Sequence, residues 1–411
     1  MSWKDHLIVD QRVSFVAEQA KGLFSMTDLC RNYGISRKTG YKWLLRASRG
    51  ESLADRSRVP HHCPHRTPAE LEQVIVAERH RHPSWGPDKI RSVLMRREPN
   101  RPWPSSTTMG EILKRHDLVQ PRDRRRRPAR PPHVPVRVDQ PNIVWTSDYK
   151  GEFRMGDRRY CYPLTVADLH SRYLLDSRAL LSTACDPAIE AFTRIFRIHG
   201  LPQAILTDNG VPFAAPCSLL GLSRLSVWWM RLNILPLRID RGCPQQNGRH
   251  ERMHRTLKAQ TTRPPGADLV DQQCRFDQFC QEYNHERPHA ALGQQPPAEF
   301  YQASLRQMPE RLDDPVYPGH YEVRHVRGNG CIRFKGDERF ISATLVGQRV
   351  GLEEVDEAIW SIWLDRFLIA RMHQGTGMLS PARIASRWPA PVGEPPSTDQ
   401  RDSPECYPCT R

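Results

Sequence analysis

The chain has 411 residues, and its 61 Lys and Arg outnumber its 46 Asp and Glu, giving a formal net charge of +15 and an isoelectric point near 9.6. The length exceeds what one hydrophobic core usually supports, so we expect roughly two to four domains. The positive charge favours a polyanionic partner, although a basic enzyme with no nucleic-acid role has the same composition. No run of about 18 apolar residues and no apolar signal core occurs, which predicts a soluble, unexported protein without a membrane partner.

The 11 cysteines are odd in number and lack a framework spacing, which predicts reduced thiols in a reducing cytoplasm. Residue types that bind metals also occur in two short clusters. Neither cluster has a second half at zinc-finger spacing, so we interpret both as solvated segments, with structural zinc as the alternative. The clusters are His61, His62, Cys63 and His65, and Cys406 with Cys409.

Residues 1–50 are predicted to form a helix-turn-helix DNA-binding domain. Apolar residues recur at helical spacing from Val13 to Leu23, and Ser36 is a suitable N-cap for the third helix. The start of such a helix enters the major groove in proteins of this type; a three-helix bundle with a solvated basic face is the alternative. We expect Tyr41, Trp43, Leu44 and Leu45 to include the core side of this helix. The candidate DNA contacts are Arg37, Lys38, Lys42 and Arg46.

Residues 65–119 are predicted to form a second helix-turn-helix-like module. Thr67-Pro68-Ala69-Glu70 has the pattern of a capping box with proline at the first helical position. A further helix is expected over Asp88–Arg97, and Ser105 or Ser106 is expected to cap a third. A plain helical spacer is the alternative.

Residues 120–141 form a basic linker rich in proline and arginine. Proline and like charges both extend a chain, and an extended basic strand can lie along phosphates. Arg125 and Arg126 are therefore candidate DNA contacts. The alternative is a solvated tether that contacts nothing.

Residues 142–303 have the pattern of an α/β domain with a mixed sheet. We expect strands over Ile143–Phe153, Arg158–Asp168, Tyr173–Leu180 and Gln203–Thr207, with a helix from Asp186-Pro187 to His199 before the last of them. A strand over Pro236–Asp240 follows, and a long helix begins after Pro244. Sites in open α/β sheets lie beyond the strand ends.

Three acids stand in distinctive surroundings within this region. Asp148 and Asp208 each close an apolar run of β type, and Glu251 opens a basic helix. Converging carboxylates can hold Mg²⁺, and two such ions can clamp the attacking and leaving oxygens of an in-line phosphoryl displacement. Asp168, by contrast, is expected to make a turn or a structural ion pair.

Four segments together resemble a known family: Trp145–Lys150, Ile205–Gly210, Pro244–Lys258 and Tyr283–Gly293. The chain resembles, from about Val13 to Tyr301, the DDE transposases of insertion sequences, which are related to retroviral integrases. The Asp208–Glu251 spacing is longer than in typical integrases, and we place the surplus in an inserted helix within 217–230.

The resemblance implies a ribonuclease-H-like core with Asp148, Asp208 and Glu251 as catalytic metal ligands. It further implies two Mg²⁺ or Mn²⁺ ions, cleavage at the terminal inverted repeats of an element, and joining of 3′-hydroxyl ends to target DNA. A homo-oligomer on paired ends, associated with a bacterial nucleoid, would carry this out.

The helix of Glu251 also contains candidate DNA contacts. Asn247, Arg255 and Lys258 stand at −4, +4 and +7 from Glu251 and so share its helical face. A solvated charged face is the usual interpretation of such a pattern. The preceding Gln-Gln-Asn-Gly sequence and the resemblance favour DNA instead.

Residues 318–374 are predicted to form short strands separated by Gly and Asp turns, in a small SH3-like β-barrel. Residues 379–411 are rich in Pro, Ser and charge and are expected to be disordered. Two other functions stay open: a domesticated DNA-binding regulator with an inactive core, and a metal-dependent nuclease of the ribonuclease-H type.

Overall fold

The computed structural model describes residues 5–56, 66–119, 138–216, 218–240 and 242–382. Arg125, Arg126, the His61–His65 cluster and the Cys406–Cys409 pair lie outside the described residues. The chain divides into two compact units, Met1–Pro68 and Ala69–Arg411. Among the described residues, no helix is both long enough and apolar enough to cross a membrane.

The first unit contains three helices: α1 (Asp5–Ala20), α2 (Met26–Asn32) and α3 (Arg37–Ser48). The side chain of Ser36 accepts a hydrogen bond from the backbone N–H of Thr39 at 3.2 Å, which confirms the predicted N-cap of α3. The buried core of the unit consists of Phe15, Leu29, Cys30 and Trp43.

Two of the predicted core residues of α3 are instead exposed. Tyr41 and Leu45 have 59% and 52% of their surface accessible, because α3 turns Gly40 and Trp43 toward the core. A Cβ at Gly40 would lie within 3 Å of the Cys30 sulfur, so the glycine permits the close approach of α3 to α2. The cations Arg12, Lys42 and Arg46 lie over the Trp43 ring, at 4.0, 5.1 and 4.8 Å from its centroid.

The second unit begins with a helical module of α4 (Ala69–Arg81), α5 (Pro87–Arg97) and α6 (Ser106–Arg115). Its core is an apolar cluster built around Ile75, Trp85, Ile90 and Ile112. Ser105 accepts a hydrogen bond from the Thr108 N–H at 3.2 Å, which identifies it as the N-cap of α6.

A mixed sheet forms the centre of the second unit. Its central strand β1 pairs antiparallel with β3 and parallel with β5; β3 also pairs antiparallel with β2 and β4, and β5 pairs parallel with β6. This arrangement confirms the predicted mixed strand directions. The strands are β1 (Val144–Tyr149), β2 (Phe153–Arg154), β3 (Tyr160–Asp168), β4 (Leu174–Leu180), β5 (Ala204–Thr207) and β6 (Leu235–Arg238).

Helices cover both faces of this sheet. One face packs against Phe192 of α7 (Cys185–His199) and Trp229 of α8 (Arg224–Arg231). The other packs against α9 (Gly248–Thr261) and α10 (Leu269–Gln281).

Helix α7 begins slightly before its predicted start, and α8 lies where an inserted helix was predicted. The N-cap of α7 is Ala184, whereas Asp186-Pro187 was predicted to cap it; Asp186 lies within the first helical turn. Helix α8 overlaps the segment 217–230 in which an additional helix was predicted.

The C-terminal strands form two sheets, and neither closes in the described part of the chain, so the predicted SH3-like barrel is not confirmed. One sheet has the order β13-β12-β11-β10-β7, and β8 pairs only with β9. Both contribute to one apolar cluster, which also contains Val227 and Met230 of α8. The strands are β7 (Glu322–His325), β8 (Cys331–Phe334), β9 (Asp337–Phe340), β10 (Arg349–Asp356), β11 (Ile359–Leu364), β12 (Phe367–His373) and β13 (Leu379–Pro381).

The predicted disordered tail begins too early, because 379–381 form a strand. Leu379 pairs with Met372 of β12 and packs against the apolar cluster of the two C-terminal sheets. Residues 383–411 lie outside the described part of the chain.

Replacing Trp43 should unfold the first unit. We expect Trp43→Ala to destabilise it by about 3–5 kcal/mol, because a buried aromatic side chain and its cation contacts are lost. Limited proteolysis of the full chain should then cut within residues 5–56 much faster. Tyr41→Ala is the matched control on the same helix and should leave the cleavage rate unchanged. Equal cleavage rates for the two variants would show that Trp43 does not hold the core of this unit together.

Candidate functional site

The pairing of two parallel strands places two carboxylates side by side. Val144 pairs with Ala204 and Thr146 with Leu206, so continuing this register by two residues brings Asp148 opposite Asp208. Side chains alternate between the faces of a strand, and therefore both acids face the same side as Val144, Ala204 and Leu206, which share one apolar cluster. This is the side of the sheet covered by α9, since Thr146 contacts His250 there.

The third acid, Glu251, lies exposed in the first turn of α9. The start of this helix is tied to Asp148, because the buried side chain of Asn247 donates a hydrogen bond to Asp148 Oδ2 at 3.3 Å. Asp208 Oδ1 accepts a hydrogen bond from the Gly210 N–H at 3.0 Å. The three predicted acids therefore lie at neighbouring ends of β1, β5 and α9.

The electrostatics of Asp148 reflect its position beside the other two acids. Its pKa is raised to about 7 by burial first and by the charge of Asp208 next, with a smaller contribution from Glu251. The Tyr149 N–H and Lys150 oppose this shift. A cation would relieve this repulsion, and carboxylate oxygens suit a hard divalent ion. The donor chemistry thus fits Mg²⁺ or Mn²⁺, although no group of three or more His, Cys, Asp or Glu side chains in the described ranges is already arranged to hold a metal.

A buried polar cluster beneath Asp148 was not predicted. The Thr165 hydroxyl lies 2.6 Å from His250 Nε2, 2.7 Å from His254 Nε2 and 3.0 Å from the Asp148 carbonyl oxygen. His250 Nδ1 lies 3.0 Å from the hydroxyl of Thr146, and His254 Nδ1 lies 3.7 Å from Asp148 Oδ2. The cluster joins α9 to β1 and β3 directly behind the acids.

Both histidines of this cluster are neutral at physiological pH. Burial lowers the pKa of His250 to about 3, and burial with the neighbouring His250 lowers the pKa of His254 to about 2. If the single Thr165 hydroxyl proton goes to the Asp148 carbonyl, both Nε2 atoms must donate to the Thr165 oxygen. The sequence signal for this cluster was the i, i+4 pair of histidines around Glu251, which puts both rings on one helical face.

The predicted DNA-contact residues among the described residues differ in their exposure to solvent. Arg37, Lys38 and Lys42 are exposed along α3, and Arg46 is half-buried against Trp43. On α9, Arg255 and Lys258 are exposed. Asn247 precedes the helix as its N-cap and is buried beside Asp148, so it does not share the helical face of Glu251 that was predicted.

Asp168 makes a turn, as predicted. Its Oδ2 accepts hydrogen bonds from the Ser171 N–H and hydroxyl, both at 2.7 Å, and its Oδ1 accepts one from the Asn142 N–H at 2.8 Å.

Two segments of the chain match models of known domain families. Residues 232–297 match the integrase core domain, and residues 39–113 match a homeodomain-like domain. The first match includes Glu251, its helix and the Tyr283–Gly293 segment. The second runs from α3 of the first unit to α6 of the helical module.

Two curated relatives match the chain over part of its length. An uncharacterized protein of Caenorhabditis elegans is 30% identical over 148 residues, which are 34% of this chain and 10% of that protein. An uncharacterized protein of insertion element IS407 from Burkholderia multivorans is 28% identical over 163 residues, 39% of this chain and 55% of that protein. The chain therefore spans about a tenth and about half of these relatives. The matches confirm that the chain resembles insertion-element proteins and contains a segment similar to the integrase core domain.

Solved structures similar to parts of the chain include two from retroviruses. The magnesium complex of the HTLV-2 integrase catalytic core domain, in its trimeric form, has 16% identity and a TM-score of 0.32, and covers 40% of this chain and 100% of that one. A chain of the simian T-cell lymphotropic virus intasome in complex with PP2A regulatory subunit B56 gamma has 16% identity and a TM-score of 0.36. The match covers 71% of this chain and 97% of that one.

Removing the charge of Asp148 should change how stability depends on pH. Because its pKa is raised from 3.8 to about 7, the native state binds more protons than the unfolded state between about pH 4 and 7, so this group lowers the free energy of unfolding as the pH rises through that window. We expect metal-free Asp148→Asn to be more stable than the unaltered protein above pH 7, by about 1–4 kcal/mol, and to lose that advantage near pH 4.

Thermal unfolding in a chelator at several pH values measures this difference. Asp186→Asn is the matched control, since Asp186 is an exposed acid of the same domain. Parallel stability curves for Asp148→Asn and the unaltered protein would contradict the raised pKa.

Proposed function

We propose that the chain is a DDE transposase that cleaves DNA at the ends of its insertion sequence and joins 3′-hydroxyl ends to target DNA. The observation that supports the proposal most is the parallel register of β1 and β5, which, continued by two residues, brings Asp148 opposite Asp208, with the charge of Glu251 acting on Asp148. The integrase core match over 232–297 supports it.

The three acids are proposed to hold the metal ions of the reaction. Two bound Mg²⁺ or Mn²⁺ ions would supply Lewis acidity at the attacking and leaving oxygens of an in-line phosphoryl displacement. The residues of the chain prepare the site: Asn247 donates a hydrogen bond to the Asp148 carboxylate and restricts its orientation. The neutral histidines lie behind this carboxylate, bonded to Thr165, and add no cation that would compete with the metal.

DNA is the proposed partner, bound first through α3. Exposed Arg37, Lys38 and Lys42 are available for phosphate or base contacts. Arg255 and Lys258 are proposed to contact the backbone near the cut, as they follow Glu251 on an exposed face of α9. Asn247 would reach DNA only beside Asp148. Arg125 and Arg126 are proposed to add sequence-independent affinity from the linker.

The active species is proposed to be at least a dimer on paired terminal repeats. Two ends must be cut and joined in concert, and one set of three acids cannot readily serve both ends at once. The proposal places the protein on the bacterial nucleoid.

One observation favours a second candidate, a DNA-binding regulator with an inactive core. Among the described residues, no group of three or more His, Cys, Asp or Glu side chains is already arranged to hold a metal, and Glu251 is exposed. A plasmid-nicking assay in Mg²⁺ separates the candidates: a regulator would bind DNA and leave supercoiled plasmid intact. The ribonuclease-H-type nuclease would nick DNA without joining ends.

Each of the three acids should be required for both chemical steps. Asp148→Asn, Asp208→Asn and Glu251→Gln should each reduce end cleavage and strand transfer at least 10²-fold, because an amide lacks the charge that holds Mg²⁺. Binding to the ends should be largely unchanged. The assay follows labelled end substrates and joined products on a gel.

Asp186→Asn serves as the matched control, because it removes an exposed carboxylate from the same domain and should keep normal activity. Near-normal strand transfer in Mg²⁺ by any one of the three variants would refute the assignment.

A further inference from the structure

Five cationic side chains converge where the helical module meets the core, and we call them the junction cluster. They come from α5, the β3–β4 turn, the start of α9 and the segment after α10. In the described part of the chain, none of the five forms an ion pair with a carboxylate. The members are Lys89, Arg172, Arg249, Arg252 and Arg287.

The hydrogen bonds of the junction cluster go to neutral oxygens. Arg249 Nη1 donates to the Leu169 carbonyl at 3.2 Å, and Arg287 Nη1 donates to the Ser84 hydroxyl at 3.3 Å. Such acceptors satisfy single N–H groups but do not neutralise the positive charges. The charges of Asp168 and Glu282 act on Arg172 and Arg287, yet neither carboxylate forms an ion pair with them, so the five cations are only partly compensated within the described residues.

Burial makes this lack of compensation costly. Arg287 is only 9% exposed. Burial and the neighbouring Arg287 lower the pKa of Lys89 to about 8, and burial with Arg249 lowers the pKa of Arg172 to about 10. Arg172 Nε is buried and has no hydrogen-bond partner among the described residues, and the same holds for His289 Nε2.

Three members of the junction cluster act on a pair of aromatic rings. The Tyr283 and His289 rings lie 4.8 Å apart at 76°, and the charges of Lys89, Arg172 and Arg287 all act on His289. The helical module is fixed to the core here, because Ser92 also donates a hydrogen bond to the Gln294 carbonyl at 3.1 Å. Arg249 and Arg287 are held by hydrogen bonds and in this respect differ from flexible surface lysines.

We propose that the junction cluster binds the phosphodiester backbone of duplex DNA and fixes its path between the helical module and the carboxylates of the core. Phosphate oxygens supply the acceptors that guanidinium groups lack here, in the paired geometry that arginine favours. Arg249 and Arg252 belong to the same helix α9 as Glu251, so the bound backbone passes the helix that carries that acid. The inference rests on the proposed function only for the identity of the partner, since it requires neither the metal nor the three acids.

The test is the salt dependence of DNA binding by the full chain, measured by fluorescence anisotropy in a chelator with a duplex of random sequence. Lys89→Gln and Arg252→Gln should each lower the slope of log affinity against log salt by about 0.9, the value for one lost phosphate contact. Lys89→Gln should also raise the melting temperature of the free protein, because it removes an uncompensated half-buried charge. Arg252 is exposed, so Arg252→Gln should not disturb folding and gives a second variant for the same measurement.

The matched controls are Lys89→Arg, which keeps the charge and should keep the slope, and Arg275→Gln, which removes an arginine paired with Asp271 on α10. Slopes for Lys89→Gln and Arg252→Gln equal to that of Arg275→Gln would overturn the proposal. A slope change that appears with an RNA duplex of the same sequence but not with DNA would also overturn it. So would unchanged DNA slopes together with a rise in melting temperature on adding inorganic phosphate, because the cluster would then bind a free anion and not DNA. Because the binding assay contains no metal, unchanged salt slopes would not count against the catalytic proposal. Conversely, normal activity of the Asp148, Asp208 or Glu251 variants would refute the catalytic proposal but not this one.

Discussion

The parallel register of β1 and β5 is the constraint on which the rest of the site depends. It forces Asp148 and Asp208 to the same face at neighbouring strand ends, where burial and like charge raise the pKa of Asp148 to about 7. Such an arrangement is unfavourable for the isolated fold. Strained or uncompensated groups persist where the surrounding structure over-determines them, and here the sheet core on both faces does so.

Charge is separated across the second unit. Behind the acids, Thr165, His250 and His254 form hydrogen bonds without positive charge, because burial keeps both rings neutral. The cations gather instead at the junction of the helical module and the core, where Arg172 and Arg287 form no ion pair with a carboxylate among the described residues. An anionic centre that attracts metal ions and a cationic surface that attracts phosphates can thus coexist within one rigid unit.

The sequence predicted correctly those features that depend on neighbouring residues along the chain. The Ser36 N-cap, the strand that directly precedes Asp208 and the turn at Asp168 each depend on a few neighbouring residues. The core side of α3 was partly wrong, since contacts of Gly40 with Cys30 and Phe15 decide it. The histidine cluster escaped prediction because Thr165 is distant in sequence from His250 and His254. Whether the C-terminal strands close into a barrel depends on long-range pairing that no single segment encodes.

Metal binding itself tests the central claim most directly. Titration of the full chain with Mn²⁺, followed by electron paramagnetic resonance, should show binding at about pH 8 that weakens steeply toward about pH 6, because the ligands must be deprotonated. Asp148→Asn, Asp208→Asn and Glu251→Gln should each weaken it strongly, and Asp186→Asn should not. Mn²⁺ affinity that is the same in all three variants as in the unaltered protein would show that these carboxylates do not form the site.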